Sequence, residues 1–459
     1  MRELLTIRRN RICLVMLILV YVISTYFYNT SGDVGVIIKY SKMVWSSLFD
    51  GTFFNYYQYA FDNMINGTVP NYNYFIYLFF AICLLPVYLI NWISGGAMDI
   101  VGEILIVNTF LLFFVILSGY LVYRLSKVMG LNKSKACEVF FVEQTSILLI
   151  FGSVGFCQFD IVYVDIVLLA LIFCCKKHYV IFSLIMSVAI MLKTLPIIIF
   201  IPLILIFEKR IIKILEYLIM GMSLWIVYGL VVRLDDGYDM VNSLSEQSLN
   251  FMGRIFPQNV SLSWGHISFF VIAFVVLCFY AYDKQVDKNG IVRGIILVPI
   301  AVYGAFLITV AWHPQWLVIL APFMSMAIVV DSSRRSLPWV DAILGIGIVI
   351  MVGVGLKGQV DNYMINNGII GLINSYEGVT IGEIVLDKFE YASEFLLSLV
   401  IASMLYFVIT VWWDLNKKID FDNINSITYD KTYATGIFVR PIFLIIYPIA
   451  LLTFNIVVA

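Results

Sequence analysis

Residues 156–177 read FCQFDIVYVDIVLLALIFCCKK. Between Asp160 and the basic pair Lys176 and Lys177, only Asp165 is charged, and the other residues from 161 to 175 are apolar or aromatic. An uninterrupted run of this kind is written for hydrocarbon, which is about 30 Å thick in a typical bilayer. Working outward from it, similar runs recur at 12–28, 104–123, 137–155, 180–192, 197–207, 214–232, 267–282, 295–311, 317–330, 340–356, 396–413 and 437–457. With 161–175 they make thirteen crossings. The composition agrees: 62% of the 459 residues are hydrophobic and 13% are charged, and the mean hydropathy is +0.96. A soluble core needs far less apolar surface. The expected fold class is all-α, a polytopic transmembrane helix bundle of about 13 spans plus one re-entrant or interfacial element, and 1–459 form a single transmembrane domain.

Charge sets the expected orientation. Arg2, Arg8, Arg9 and Arg11 precede the first run, and the positive-inside rule puts them in the cytoplasm. No small-x-small cleavage pattern follows that run, so it reads as an uncleaved signal-anchor. Residues 29–71 are then an amphipathic outer loop. The next basic cluster, Arg124, Lys127, Lys133 and Lys135, belongs inside, which requires an odd number of crossings before it. Two apolar runs intervene, 72–93 and 104–123. The first is interrupted by Pro86 and rich in Tyr and Asn, so it is assigned the partial insertion and the second crosses. Alternation then works to the end and delivers 234–264 and 357–391 as further outer loops. The net charge of −1 and the scattering of basic residues between spans give no footprint for nucleic acid. The seven cysteines lack metal-ligand spacing and nearly all lie in apolar runs, which excludes a disulfide framework.

This parity brings four polar features to the outer ends of spans: Asp33, Asp160, Lys193 and His313. Ionisable groups at a bilayer default to functional hypotheses, although groups at span ends reach water cheaply. Asp33, in Ser31-Gly32-Asp33, sits where a small-residue turn enters the segment holding Lys39, Lys42 and Trp45. There it suits either chemistry at the headgroup boundary or a helix N-cap. Asp160 closes the stretch containing Cys157 and Gln158, and Asp165 follows inside the span, where it needs a partner or a wet cavity. Lys193 stands before Pro196 in a tight hairpin, as a point charge for a phosphate or a solvated turn. His313 precedes Pro314, Gln315 and Trp316 in a polar notch between two indoles, as a hydrogen-bonded turn residue or a donor to phosphate or sugar. Glu138 and Glu143 are expected to pair with Lys133 or Lys135 and are left out of the site.

Together these residues resemble the GT-C superfamily of polyprenyl-phosphate-sugar-dependent glycosyltransferases, in particular its bacterial cell-surface polysaccharide branch (mannosyltransferase-like). Ser31-Gly32-Asp33 resembles its acidic motif. The stretch Pro70-Asn71-Tyr72-Asn73-Tyr74 stands where the family has Tyr-Asn-Pro-Pro, without the paired prolines. Cys157-Gln158-Phe159-Asp160 resembles Gly-Gln-x-Asp with Cys157 for the glycine, and Lys193 to Pro196 and His313 to Trp316 follow the family's later order. The resemblance runs from about 28 to 330. It implies a GT-C-like hexosyltransferase moving a sugar from a polyprenyl-phosphate donor to a glycan or other hydroxyl acceptor, with its active site on the extracytoplasmic face of the cell membrane. On that reading Asp33 is the catalytic base. Asp160, Gln158, Lys193, His313 and Gln315 bind substrate, and Asp33 and Asp160 would hold a divalent cation if one takes part. The rivals are a flippase or transporter and a polymerase of lipid-linked oligosaccharides. A transporter, however, gathers ionisable groups near the midplane between repeated halves, and this chain shows no fixed-period repeat.

Overall fold

The structure is a computed structural model. It describes residues 2–30, 34–64, 69–70, 72–96, 98–241, 255, 260–262, 265–284, 288–331, 334–355, 360–373, 380–415, 424–425 and 431–458. The chain is helical almost throughout. Helices α1 (Arg2–Val22), α2 (Val34–Phe49), α3 (Tyr56–Asp62), α4 (Tyr74–Cys83), α5 (Leu85–Ser94), α6 (Ile100–Met129), α7 (Lys133–Gln144) and α8 (Ile147–Ile150) come first. Helices α9 (Asp160–Cys175), α10 (Tyr179–Leu192), α11 (Ile197–Phe207) and α12 (Ile211–Val231) follow, then a hairpin of β1 (Val260–Leu262) and β2 (Gly265–Ile267) in which Ser261 pairs His266. The remainder comprises α13 (Phe269–Asp283), α14 (Lys288–Thr309), α15 (Ala321–Val330), α16 (Leu337–Gly355), α17 (Val360–Asn366), α18 (Ile369–Ile373), α19 (Ile381–Lys388), α20 (Ala392–Leu415) and α21 (Lys431–Val458).

The chain is a polytopic membrane protein, and its helices differ in how they meet that solvent. Among the described residues, Ile100–Met129, Ile211–Leu234, Leu337–Val354, Ala392–Asp414 and Lys431–Phe454 are long and apolar enough to cross, which makes 5 spans, or up to 7 if each bent pair counts as one. Six of the other expected spans fall on apolar helices of 10–17 residues, such as Tyr179–Leu192 and Ile197–Phe207. At ~1.5 Å per residue these are shorter than the hydrocarbon, so their ends need protein neighbours. The surface of α12 shows the lipid-facing pattern. Ile212, Leu215, Ile219, Ile226 and Leu230 fall at helical spacing and are all exposed. In contrast every residue of α15 is buried.

The run assigned a partial insertion and one expected span are broken, for identifiable reasons. The run 72–93 divides into α4 and α5 with a bend of 62°, because Pro86 enters the first turn of α5 and cannot continue the preceding hydrogen-bond ladder. The run 137–155 divides into α7 and the pair α8 and Phe151–Gly155 with a bend of 50°. At that break the Arg440 guanidinium donates to Thr145 Oγ1 (3.2 Å), so a polar side chain from α21 is inserted at the turn. Lipid supplies no hydrophobic drive between helices, so close approach has to be steric. At Gly119 a Cβ would lie 2.5 Å from Gln144 Nε2. Only glycine lets α6 reach the end of α7, where Gln144 Nε2 donates to Val115 O (2.8 Å).

Candidate functional site

Two wide helical turns with i→i+5 bonding form the floor of the site. Ile23–Phe27 continues α1 and closes with Tyr28 N donating to Ile23 O (3.0 Å). Phe151–Gly155 continues α8 and closes with Phe156 N donating to Phe151 O (2.7 Å). Such π-turns expose backbone groups that an α-helix would consume, and they are frequent at functional sites. Here the fully buried Asn108 of α6 joins them: its Nδ2 donates to Thr25 O (3.0 Å) and Val154 O (2.9 Å). Thr30 N also donates to Gly155 O (2.9 Å). The end of the first helix is therefore tied to the stretch leading into Asp160.

That stretch turns sharply. Cys157 has φ +49°, the left-handed region, and Gln158 N donates back to Ser153 O (2.9 Å). The turn buries Gln158 and delivers Asp160 as the first residue of α9, where the helix dipole favours a carboxylate. Lys193 follows the last residue of α10, in extended conformation, and its ammonium donates to Asp160 Oδ1. Asp160 is wholly buried, whereas the Lys193 side chain keeps 21% exposure. Three rings surround the ammonium, with centroids at 5.6 Å for Phe159, 5.7 Å for Tyr163 and 5.4 Å for Trp316. Ring faces attract a cation, and more strongly away from water. This cage holds one positive charge, partly open, against one buried negative charge.

Other predicted residues close around the pair. Tyr72 packs edge-on to Phe159 at 5.3 Å. Asn73 caps α4 by accepting from Phe75 N (2.9 Å), and its Nδ2 donates to Met191 O (2.8 Å), two residues before Lys193. His313 is exposed and lies 5.5 Å from Trp316, ring to ring. Its carbonyl accepts from Trp316 N (2.9 Å), which starts the 3-10 turn Pro314–Ile319. Gln315 is buried, and its backbone carbonyl would lie 3.4 Å from a Cβ at Gly152, so the late motif packs on the second π-turn. Asp160, Gln158, Lys193, His313 and Gln315 thus share one end of the bundle. Asp33 and Asn71 lie outside the described residues. The chain resumes at Val34, the buried first residue of α2, whose Lys42 donates to both oxygens of Glu103 (2.8 Å each).

Sequence reasoning missed several members. Phe159 and Trp316 stand inside the quoted stretches and Tyr163 does not, but nothing marked any of the three as facing Lys193, because aromatic residues are ordinary near membrane interfaces. Asn108 did carry one, as a lone amide in an otherwise apolar run. The expectation for the two glutamates needs correction in part. Glu138 pairs with Lys135 at 3.7 Å, but Glu143 is fully buried beside Ser118, whose hydroxyl donates to it (3.3 Å). The reason is helical phase: Glu143 lies near the end of α7, on its inward face. Asp165 is likewise buried, near Ser118 and Glu143. No group of three or more His, Cys, Asp or Glu that could hold a metal ion occurs among the described residues.

No protein-family model matches the sequence, and no characterised protein matches it either. Among solved structures, the chain is similar to ArnT from Cupriavidus metallidurans, crystallised with bound undecaprenyl phosphate. The two are 13% identical, the match covers 96% of this chain and 77% of that one, and the TM-score is 0.39.

Proposed function

We propose that the protein is an integral-membrane glycosyltransferase of GT-C type. It would move a sugar from a polyprenyl-phosphate donor to a glycan or other hydroxyl acceptor on the extracytoplasmic face of the cell membrane. The observation that carries this reading is the Lys193 ammonium, partly open, caged by Phe159, Tyr163 and Trp316 and held by Asp160. It fits a lipid phosphate as a fixed, poorly solvated cation at the end of an apolar bundle.

The chemistry follows from that placement. Asp33 takes the proton of the acceptor hydroxyl as its oxygen attacks the anomeric carbon, a role worth ~10²–10⁴ in rate. The bond from that carbon to the phosphate oxygen breaks, and the electron pair leaves with the lipid phosphate. Lys193 stabilises the charge gained there, with His313 as a further donor. Asp160 orients Lys193, while Gln158 and Gln315 line the sugar side. Retention would need a nucleophilic carboxylate near the anomeric centre. Among the described residues, Asp160 is occupied by Lys193 and Asp165 is buried five residues further along α9, which supports a single displacement with inversion.

The test uses protein reconstituted in vesicles with a polyprenyl-phosphate-hexose and an oligosaccharide acceptor mixture. Transfer and release of lipid phosphate are measured for the wild type, Asp33→Asn and Lys193→Met. Both variants are expected to lose ~10²-fold or more of kcat/KM. Undiminished transfer by either removes that residue from its role. Donor lipid that crosses the bilayer with its sugar bond intact overturns the enzyme in favour of a flippase.

A further inference from the structure

The expected resemblance thins out after residue 330, yet the later chain reaches the site. Asp361, in α17, is 2% exposed, and its Oδ1 accepts from Tyr28 Oη (2.7 Å). Tyr447 of α21 packs edge-on against the Tyr28 ring, 6.0 Å between centroids. Gly353 makes room for this arrangement, since a Cβ there would lie 3.3 Å from Asp361 Oδ2 and 3.5 Å from Tyr447 Oη. Three residues beyond Asp361, Met364 O accepts from Asn29 N (3.0 Å). The space behind Tyr28, lined by Ser24, Phe151, Gly155 and Tyr447, is only about 10 Å³. That is scarcely room for a single water, so the Tyr28 ring is closely packed on that side.

We propose that Asp361 is a positioning residue for the centre built on Asp160 and Lys193. It acts through Tyr28 and the end of the first helix, which it holds against Gly155. The connection is continuous and polar. Asp361 holds Tyr28, and Met364 holds Asn29. Thr30, the next residue, holds Gly155, and two residues on, the left-handed turn at Cys157 sets the direction of Asp160. A buried carboxylate that accepts from a phenol makes a charge-assisted bond, stronger than a neutral one, which narrows the geometry on both sides. Asp361→Asn keeps the volume and an acceptor oxygen but removes the charge, so it weakens the bond from Tyr28, and Tyr28→Phe removes that bond outright. The same anchoring fixes Thr30, the last described residue before Asp33. The catalytic consequence rests on the glycosyltransferase reading above, whereas the clamp itself does not.

The experiment compares wild-type protein, Asp361→Asn, Tyr28→Phe and the double variant in reconstituted vesicles. Amide exchange at Asn29 and Thr30 is expected to quicken by ~10-fold or more in each single variant, with α6 and α9 unchanged, because the segment that holds both amides against Met364 O and Gly155 O is loosened at Tyr28. With polyprenyl-phosphate-hexose as donor, kcat is expected to fall ~10–100-fold while KM stays within about twofold, since a displaced catalytic geometry costs rate rather than ground-state binding. The double variant should be no slower than the slower single one, as both act through one contact. Unchanged exchange at Asn29 and Thr30 overturns the clamp. Faster exchange with unaltered kcat per folded molecule overturns the positioning role, as does a lower unfolding temperature that accounts for all lost activity. A wild type that transfers no sugar counts against the glycosyltransferase reading, and exchange at those two amides still decides the clamp.

Discussion

Cys157 shows how much one backbone angle contributes to this site. An L-residue in the left-handed region costs roughly 1–2 kcal/mol, and glycine escapes most of that. Cys157 sits there at φ +49°. A prediction follows with an unusual sign. Cys157→Gly should unfold at a higher temperature than Cys157→Ala, although glycine is ordinarily the poorer residue in a helical protein by ~1 kcal/mol. Thermal unfolding in detergent checks it, and an alanine variant as stable as the glycine one would show that the angle relaxes freely. At this scale Asp160, Gln158, Lys193, His313 and Gln315 were legible because each is a polar residue at the margin of an apolar run. The grouping of Phe159, Tyr163 and Trp316 around Lys193 was not. In a chain with 16% aromatic residues, nothing local distinguishes a ring that faces lipid from one that faces an ammonium.

At the scale of elements, basic residues between apolar runs were read as markers of topology, and the structure adds work for them. Lys209 Nζ donates to Leu205 O (2.7 Å), Ala281 O (2.9 Å) and Tyr282 O (2.7 Å), and so satisfies the carbonyl ends of α11 and α13 together. Beside it Glu208 closes the turn, accepting from the amides of Lys209 and Arg210 (3.0 Å each) and from Arg210 Nε and Nη2 (3.0 and 2.8 Å). Hydrogen bonds from the Arg210 side chain, above all, lower its carboxyl from the usual 4.5 to about 2. A carboxylate lowered by folding stabilises the fold above its unfolded value, and that contribution fades as pH falls from about 4.5 toward 2. Glu208→Gln should therefore unfold at a lower temperature than the wild type at neutral pH, with the gap closing across that acid window. A gap that persists at the acid end would assign the effect to packing. Helix breaks were only partly legible. Pro86 announces the break between α4 and α5, whereas the break after α7 depends on Arg440, nearly three hundred residues later in the chain.

At the scale of the whole molecule, Arg440 is the largest fully buried side chain among the described residues. Its Nη1 donates to Asp341 Oδ2 (2.7 Å) and its Nη2 to Thr145, joining α21 to α16 and to the broken span. Removing one partner of a buried pair leaves an uncompensated charge, a cost of ~3–5 kcal/mol, whereas replacing both with apolar residues is often neutral. Arg440→Met should thus destabilise the protein strongly and Asp341→Leu with Arg440→Met should recover most of the loss, measured by denaturant unfolding in detergent. A double variant as unstable as the single one would mean that the pair itself, and not the orphaned charge, matters. The sequence by itself determined that this is an all-helical membrane protein with its unusual polar residues at run margins. Hydrophobicity is local, and a bilayer leaves helices as the economical answer for such runs. Only the tertiary structure decided that Lys193 meets Asp160 within three rings, that Asn108 ties two π-turns together, and that Asp361 reaches back to Tyr28. Those contacts join residues 33 to 333 positions apart, and no periodicity within a run specifies which distant side chain its exposed turn will meet.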